Sequence, residues 1–503
     1  MVRMNQYLGI DIGTGGCKAV VFDDTGRAQS SAYREYNTIA EHPGWAGLEP
    51  PEVTEKCFEV IREAAVAAGR GSVRGIGISS QGEAFTMTDS KGNALCMALV
   101  SSDVRAREMI APFVEEFGEE NLYRITGHTP HPLFTLFKLL WMQRYNRVMF
   151  DKAERILCFE DLLQYRLGIK NPSMGWSLAG RTMLFDVTRH RWDETIAGSA
   201  GLDLNKLSAP LRSGSLAGYI DEDIARHLGL SDRTFVVTGG HDQPCSGLGA
   251  GAVEPGTAVW SSGSVECITP AFGNPVFTDE LKRNNLCTYD HAVPGMYATV
   301  AYSLTGGNLL RWYRDQFGCL QSKTAAEPEK IGYSSLIDSL PDVPSRLHVM
   351  PYFTPSGTPY FDSEVKGTIL GLDLSVSKSE ILRGLLEGVA MEIRLNLEIL
   401  KQSGCEVTEL RIMGGGSKSE KLVQLKSDAI GMPVTILDVS EAGCMGVAML
   451  AKAFNDNVDV RSIATLWVKT AVKISPSNQE YYNNKFRQYK SLYLPLRSIY
   501  RSF

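Results

Sequence analysis

Residues 8–23, reading Leu-Gly-Ile-Asp-Ile-Gly-Thr-Gly-Gly-Cys-Lys-Ala-Val-Val-Phe-Asp, constrain this chain more than any other stretch. Two apolar, β-prone runs, 8–12 and 17–22, flank Gly13, Thr14, Gly15 and Gly16, the pattern of a strand, a tight turn and a returning strand. This predicts a buried hairpin. A hairpin turn needs few residues that tolerate positive φ, yet here three glycines surround a hydroxyl and a carboxylate, Asp11, interrupts an apolar strand. Glycines let a ligand approach the backbone, and their N–H groups form a concave nest for anions. Asp11 is costly to bury unless a cation or dense hydrogen bonding meets it. Two readings satisfy these groups. In one, phosphate sits on the amides, Thr14 adds its hydroxyl and Mg²⁺ bridges phosphate to Asp11. In the other, the segment is a Gly-rich turn with Asp11 bonded to nearby backbone.

At 503 residues the chain exceeds one hydrophobic core, which predicts two large domains. A composition of 44% hydrophobic and 21% charged residues is that of an ordinary soluble globular protein. The net charge of −6 gives no electrostatic case for nucleic acid or an anionic membrane, and no partner of either kind is expected. Ten cysteines are scattered singly without a Cys-x-x-Cys pair, so neither a disulfide framework nor a zinc site is predicted. Free thiols fit a reducing cytoplasm. No uninterrupted apolar run approaches the ~18 residues of a membrane span, and the N-terminus runs straight into the first strand, so a cytoplasmic location is expected.

Further along, a turn-rich loop (42–50) precedes a predicted helix over 51–69 with proline near its start. A short apolar strand, 73–79, delivers Ser80, Gln81, Gly82 and Glu83 at its carboxyl end, where α/β sheets usually hold ligands. Strands are predicted over 85–89 and 98–100, the latter leading into Asp103 and Arg105, and helices over 107–117 and 134–145. His128 and His131, among prolines, read as loop residues and not as metal ligands. The strand 235–238 runs through Gly239, Gly240 and His241 to Asp242, Gln243 and Pro244 and a small-residue helix reaching about Ala252. Pro244 suits a first helical turn, and Asp242 could be the N-cap of that helix.

From Gly256 the pattern starts again. Residues 256–268 form another strand, Gly/Ser turn and strand, a second phosphate-type hairpin some 250 residues after the first. The strand 410–413 ends in Gly414, Gly415, Gly416 and Ser417, matching the 76–81 element in type, and 434–437 leads into a small-residue helix as 235–252 does. Each half therefore reads hairpin, strand-loop, strand, small-residue helix. The Tyr-, Lys- and Arg-rich tail, 479–493, reads as a closing amphipathic helix that packs on the body.

With both hairpins, the triple glycine and the paired small-residue helices in place, the chain resembles the actin and hexokinase superfamily and, within it, the FGGY family of carbohydrate kinases. Trp45, Glu49-Pro50, Asp103-x-Arg105 and the Gly-His-Asp-Gln segment recur in the family's order. Gly367 to Leu372, followed by Glu380, Ile381 and Glu387, resembles its C-terminal signature, with Gly384 where Ala or Ser is usual. The resemblance covers essentially the whole chain. It implies an α/β fold of two duplicated ribonuclease H-like, actin-like ATPase domains flanking a central cleft: residues 1–247 for the sugar and the first phosphate hairpin, 248–503 for the nucleotide. It also implies ATP and Mg²⁺, a sugar or polyol substrate, and a homodimer.

Residue by residue, the resemblance makes Asp242 the general base for the attacking sugar hydroxyl and puts Asp11 on the metal-phosphate side. Thr14, Gly15, Gly263, Ser264 and Gly307 match positions that hold the nucleotide phosphates; Gly415, Gly416 and Ser419 match the adenosine pocket. Gln81, Glu83, Asp103, Arg105 and Gln243 match positions around the substrate. The helix N-terminus is expected to keep Asp242 ionised. Phosphoryl transfer asks a protein mainly for positioning, charge neutralisation and an aligned base, which agrees with these residue types.

Departures bear on the substrate. Glycerol kinases carry Arg-Glu and xylulokinases Met-His where this chain has Gly82-Glu83, and both have Trp where it has Ser101. The resemblance then implies a pocket emptied of two large side chains, which argues against glycerol and leaves room for a bulkier substrate. Glu83, Gln81 and Gln243 suit the hydroxyls of a neutral ketose, such as a ketopentose, or a polyol. A sugar acid paired with Arg105 is the alternative. An actin- or chaperone-like ATPase would have no use for such acceptor-facing residues, and a regulator that has lost catalysis would be expected to lack Asp11 or Asp242.

Overall fold

A computed structural model describes residues 5–320, 329–439 and 441–502. The hairpin expected over 8–23 is present: Gln6–Ile12 and Gly16–Asp23 pair antiparallel, with Gly13 N donating to Gly16 O at 2.9 Å across the turn. Ala28–Glu35 continues the antiparallel run. On the other side of the first strand lie Val73–Ser80 and then Phe235–His241, both parallel, with Leu216–Tyr219 as an antiparallel edge. Leu8, Ile10 and Ile12 point to one face, where they pack with Val53, Cys57, Val60 and Ile61 of the helix Pro50–Ala68.

The second half repeats this order. Thr257–Ser262 and Glu266–Phe272 form the hairpin, Ala301–Ser303 pairs antiparallel outside it, and Glu409–Met413 and Val434–Leu437 follow in parallel on the other side. Thr470–Ile474 closes the edge antiparallel. Matching order and matching strand sense in both sheets make this the duplicated, two-domain actin-like fold.

The helix Ala442–Asp456 comes late in the chain yet lies on the first sheet. Its Cys444 and Val447 join Tyr7 and Val237 in one apolar cluster. Contact is at backbone level: a Cβ on Gly9 would stand 1.8 Å from Cys444 O, and one on Gly446 would stand 2.0 Å from Cys245 O in the helix Asp242–Gly249. Only small residues allow two helices and a sheet to approach this closely.

Element boundaries differ from expectation in three places. The helix after Asp242 ends at Gly249, short of Ala252; the 107–117 pattern divides into a 3₁₀ turn, Arg105–Met109, and a helix, Ile110–Phe117. The closing helix runs to Tyr500 through Pro495, burying Tyr482, Phe486, Tyr489 and Tyr493. Among the described residues no helix is long and apolar enough to cross a membrane.

Candidate active site

Phe235–His241 ends where the helix Asp242–Gly249 begins, with Pro244 in its first turn. The N-cap position is His241, whose side chain makes no cap bond, and Asp242 is the first helical residue, its carboxylate hydrogen-bonded to the backbone and side chain of Gln243. Its side chain is 28% exposed. Burial, then the Asp11 and Glu83 carboxylates, push its pKa up to about 7. The expectation that the helix N-terminus keeps this carboxyl strongly ionised is thus corrected: loss of water and two like charges outweigh the field of a short helix. A carboxyl with a pKa near neutrality is well matched to general-base work.

Beside it, His241 Nε2 lies 3.2 Å from Asp242 Oδ1 and Nδ1 lies 3.0 Å from the Tyr289 hydroxyl. Glu83 is 3% exposed, holds a left-handed backbone at φ 61°, and receives Arg181 Nε at 2.5 Å. The Arg181 guanidinium lies over Phe134 and Tyr289, with centroids at 5.2 and 5.4 Å. A Cβ on Gly82 would lie 3.0 Å from His241 Nε2 and 3.4 Å from Arg181 Cγ. The room expected at Gly82 for a bulkier substrate is therefore already filled by the protein's own side chains. Ser101, in contrast, is exposed.

The first hairpin brings Asp11, Thr14 and Gln81 together. Ser79 Oγ donates to Asp11 Oδ1 at 2.6 Å, so the carboxylate is met by a side chain and not by the turn backbone. Burial raises the Asp11 pKa above the ordinary carboxylate range, partly offset by that hydrogen bond. Thr14 Oγ1 donates to Gln81 Oε1 at 3.2 Å and Gln81 Nε2 donates to Gly13 O at 3.0 Å, so both ends of the Gln81 amide brace the hairpin. A Cβ on Gly15 would meet nothing within 4 Å, leaving the turn open to a ligand.

In the second hairpin Gly307 N donates to Gly263 O at 2.8 Å and Asn308 N to Ser264 O at 3.0 Å, which fixes the turn on the start of the helix Gly307–Phe317. Behind it lies a buried cluster that the sequence pattern did not reveal: Lys426 Nζ reaches Glu266 Oε1 at 2.5 Å and Ser262 Oγ at 2.6 Å, and Trp260 Nε1 donates to Glu266 Oε2 at 2.8 Å. Gly415 faces open space, whereas a Cβ on Gly416 would collide with Ser262 Oγ at 2.0 Å. Ser419 caps the helix Glu420–Ile430 through Leu422 N.

Asp103 and Arg105 are committed to each other. Arg105 Nε and a terminal nitrogen reach Asp103 Oδ2 at 2.9 and 2.7 Å, Asp103 also accepts Ala46 N at 2.7 Å, and the guanidinium lies 3.8 Å over the Trp45 ring. This pair clamps the 42–48 loop. Gln243 Oε1 accepts the Cys267 thiol at 3.2 Å, a contact between the halves. Among the described residues no group of three or more His, Cys, Asp or Glu side chains could hold a metal unaided.

The N-terminal domain of the FGGY family of carbohydrate kinases matches residues 6–249, and the family's C-terminal domain matches residues 269–453. The chain belongs to the FGGY family. This FGGY kinase is 26% identical over 492 residues to a xylulose kinase of Staphylococcus epidermidis, covering 97% of this chain and 95% of that one. It is 28% identical over 463 residues to a glycerol kinase of Methylibium petroleiphilum, covering 89% and 90%. A solved structure described as a xyloylose kinase from Brucella ovis shares 26% identity at a TM-score of 0.88, over 98% of this chain and 100% of that one. The protein is thus a phosphotransferase with an alcohol group as acceptor, acting on a small-molecule sugar.

Proposed function

We propose that this FGGY kinase transfers the γ-phosphate of ATP to a primary hydroxyl of a small neutral sugar, a ketose such as a ketopentose, or of a polyol. The observation that carries this reading is Asp242: a carboxyl at a strand-to-helix junction, facing Asp11 and Glu83, with a pKa of about 7. One Asp242 oxygen takes the proton of the sugar hydroxyl as that oxygen attacks the γ-phosphorus; the β–γ bridging bond breaks and ADP departs. Thr14, Gly15, Gly263, Ser264 and Gly307 hold the phosphates, and Gly415, Gly416 and Ser419 border the adenosine. Glu83 and Gln243 orient the sugar. Mg²⁺ commonly sits on one or two carboxylates plus substrate phosphates, and a half-buried carboxylate bonded to the Ser79 hydroxyl beside an open glycine turn fits that description; Asp11 would hold the ion, which when bound neutralises phosphate charge.

A neutral substrate is favoured because both arginines near the pocket already have carboxylate partners, Arg105 with Asp103 and Arg181 with Glu83. A sugar acid would have to break one of these buried pairs. In this reading residues 1–247 carry the sugar and 248–503 the nucleotide. We extend it to a homodimer in the cytoplasm; the nine free cysteines among the described residues are consistent with a reducing compartment. A panel of neutral ketoses, polyols and sugar acids, read by coupled ADP release, tests the proposal. Turnover with a neutral acceptor and none with sugar acids is expected. ADP release that needs no acceptor would instead make the protein an ATPase.

A further inference from the structure

Tyr289 belongs to the short strand Tyr289–Asp290 of the second sheet, whereas His241 ends a strand of the first, so their 3.0 Å contact joins the two halves directly behind the base. Both side chains are buried, at 0% and 4% exposure. Burial, with Arg181 nearby, holds His241 well below the ordinary imidazole range, so the ring is neutral and carries one N–H. Burial also keeps the Tyr289 phenol protonated. A neutral imidazole between a hydroxyl and a carboxylate has two tautomers, and its two neighbours decide which one exists.

We propose that Tyr289 and His241 are positioning residues that hold Asp242 in its proton-accepting form: the Tyr289 hydroxyl donates to Nδ1, the ring proton is thereby fixed on Nε2, and Nε2–H faces Asp242 Oδ1, leaving Oδ2 for the sugar hydroxyl. In the other tautomer a nitrogen lone pair would face an anionic oxygen, an arrangement stable only when Asp242 is protonated and unable to act. No bond at His241 forms or breaks; the proton taken from the sugar stays on Asp242 until the products leave. The inference rests on the reading of Asp242 as the base.

Two like charges bear on Asp242, and Gln243, through its backbone and its side chain, already favours the ionised carboxyl. Asp11, Glu83 and the Cys267 thiol face Asp242, and both carboxylates favour its protonated form. Arg181 and His128 face His241; Arg181 is paired with Glu83, and His128 is itself buried and held neutral. Nε2, 3.2 Å from Oδ1, is placed to add a donor to those of Gln243 when it carries the ring proton. Gly82 is part of the device, because a side chain there would occupy the ring's position.

The test is the pH dependence of kcat in the full-length enzyme with its best neutral acceptor, for wild type, His241→Leu, His241→Gln, Tyr289→Phe and Asp242→Asn. His241→Leu should move the acid limb up by about one pH unit, lose roughly tenfold in kcat near neutrality and regain it in alkali, with KM for ATP unchanged. His241→Gln, whose amide N–H can donate, should keep the wild-type limb, and Tyr289→Phe should shift it in the same direction as His241→Leu by less. A rate depressed equally at every pH, or a limb that stays in place in Tyr289→Phe, overturns the relay even where His241→Leu fails to fold. Wild-type turnover in Asp242→Asn would overturn the base assignment itself, a separate result.

Discussion

A Cβ atom on Gly82 would lie 2.9 Å from Cδ2 of His241, so the imidazole occupies the space that the missing side chain leaves. Gly82→Met should therefore displace the ring from Asp242, lowering kcat roughly tenfold, as loss of the imidazole does, less than the ~10²-fold low end for removing the base itself, with ATP affinity retained. Steady-state kinetics decide the point: a rise in sugar KM alone, with kcat intact, would mean that the ring yields and the side chain enters the sugar's space.

Asp242→Asn keeps the shape of the residue and removes its ability to take a proton. Turnover should fall ~10²–10⁴-fold, while the melting temperature at about pH 4, where the wild-type carboxyl is protonated and as uncharged as the amide, stays near wild type. A variant that phosphorylates sugar at close to the parent rate would send the search for the base elsewhere.

The same residue predicts how stability varies with pH. Its carboxyl has a pKa of about 7 in the folded protein, against about 3.9 in an unfolded chain. Between these values the native state binds a proton that the unfolded state does not, so its contribution to stability is present at the acid end and is lost as pH rises from about 4 to about 7. Thermal melts of the ligand-free enzyme should show a shallower decline over that range in Asp242→Asn than in wild type; identical slopes would contradict the raised pKa.

Arg105→Ala leaves Asp103, fully buried, without its cation. Breaking a buried pair from one side costs about 3–5 kcal/mol, so a large drop in melting temperature is expected. Enzyme that remains folded should show a sugar KM within about twofold of wild type, because less than 1 kcal/mol of binding is then at stake. A selective tenfold rise in KM with unchanged stability would make Arg105 a substrate ligand.

Asp11→Ala should abolish Mg²⁺-dependent turnover and leave the fold in place, since the carboxylate's partner is a single hydroxyl, Ser79, and not the core. Circular dichroism and coupled assays across a magnesium titration check both halves of the statement. Normal activity with full metal dependence would remove Asp11 from the site.

Sugar and nucleotide together should compact the molecule, because Asp11 and Asp242 belong to the first half of the chain and Gly263 and Gly415 to the second. Small-angle scattering with both ligands, with each alone and with neither reads this directly; equal radii in all four states would count against closure.

The sequence carried the fold because the fold's signals are local. Glycines at 13, 15 and 16 announce a turn without reference to anything distant, and the second hairpin repeats the announcement. The place of Asp242 at a strand-to-helix junction was legible for the same reason: it follows a strand and stands two residues before Pro244. Arg181 and Tyr289 were not, since their partners Glu83 and His241 lie 98 and 48 residues away and nothing in the spacing links them. The vacancy at Gly82 was misread because a small residue tells that space exists and not which molecule fills it. The structural tasks of Gln81 and Ser419 were not legible either: the Gln81 amide braces a turn whose partner lies 68 residues away, and Ser419 caps the helix that follows it.

The helix Ala442–Asp456 covers a sheet whose last parallel strand was complete at His241. On a ribosome adding about 5–20 residues per second, roughly 10–40 s separate the two events. For that interval the nascent first half exposes the sheet face that bears Tyr7 and Val237, and it can reach its native packing only when nearly the whole chain has emerged. A premature stop anywhere before residue 442 therefore forfeits the first half along with the second, and a ribosome-bound intermediate of this protein is a client for whatever binds exposed apolar strands.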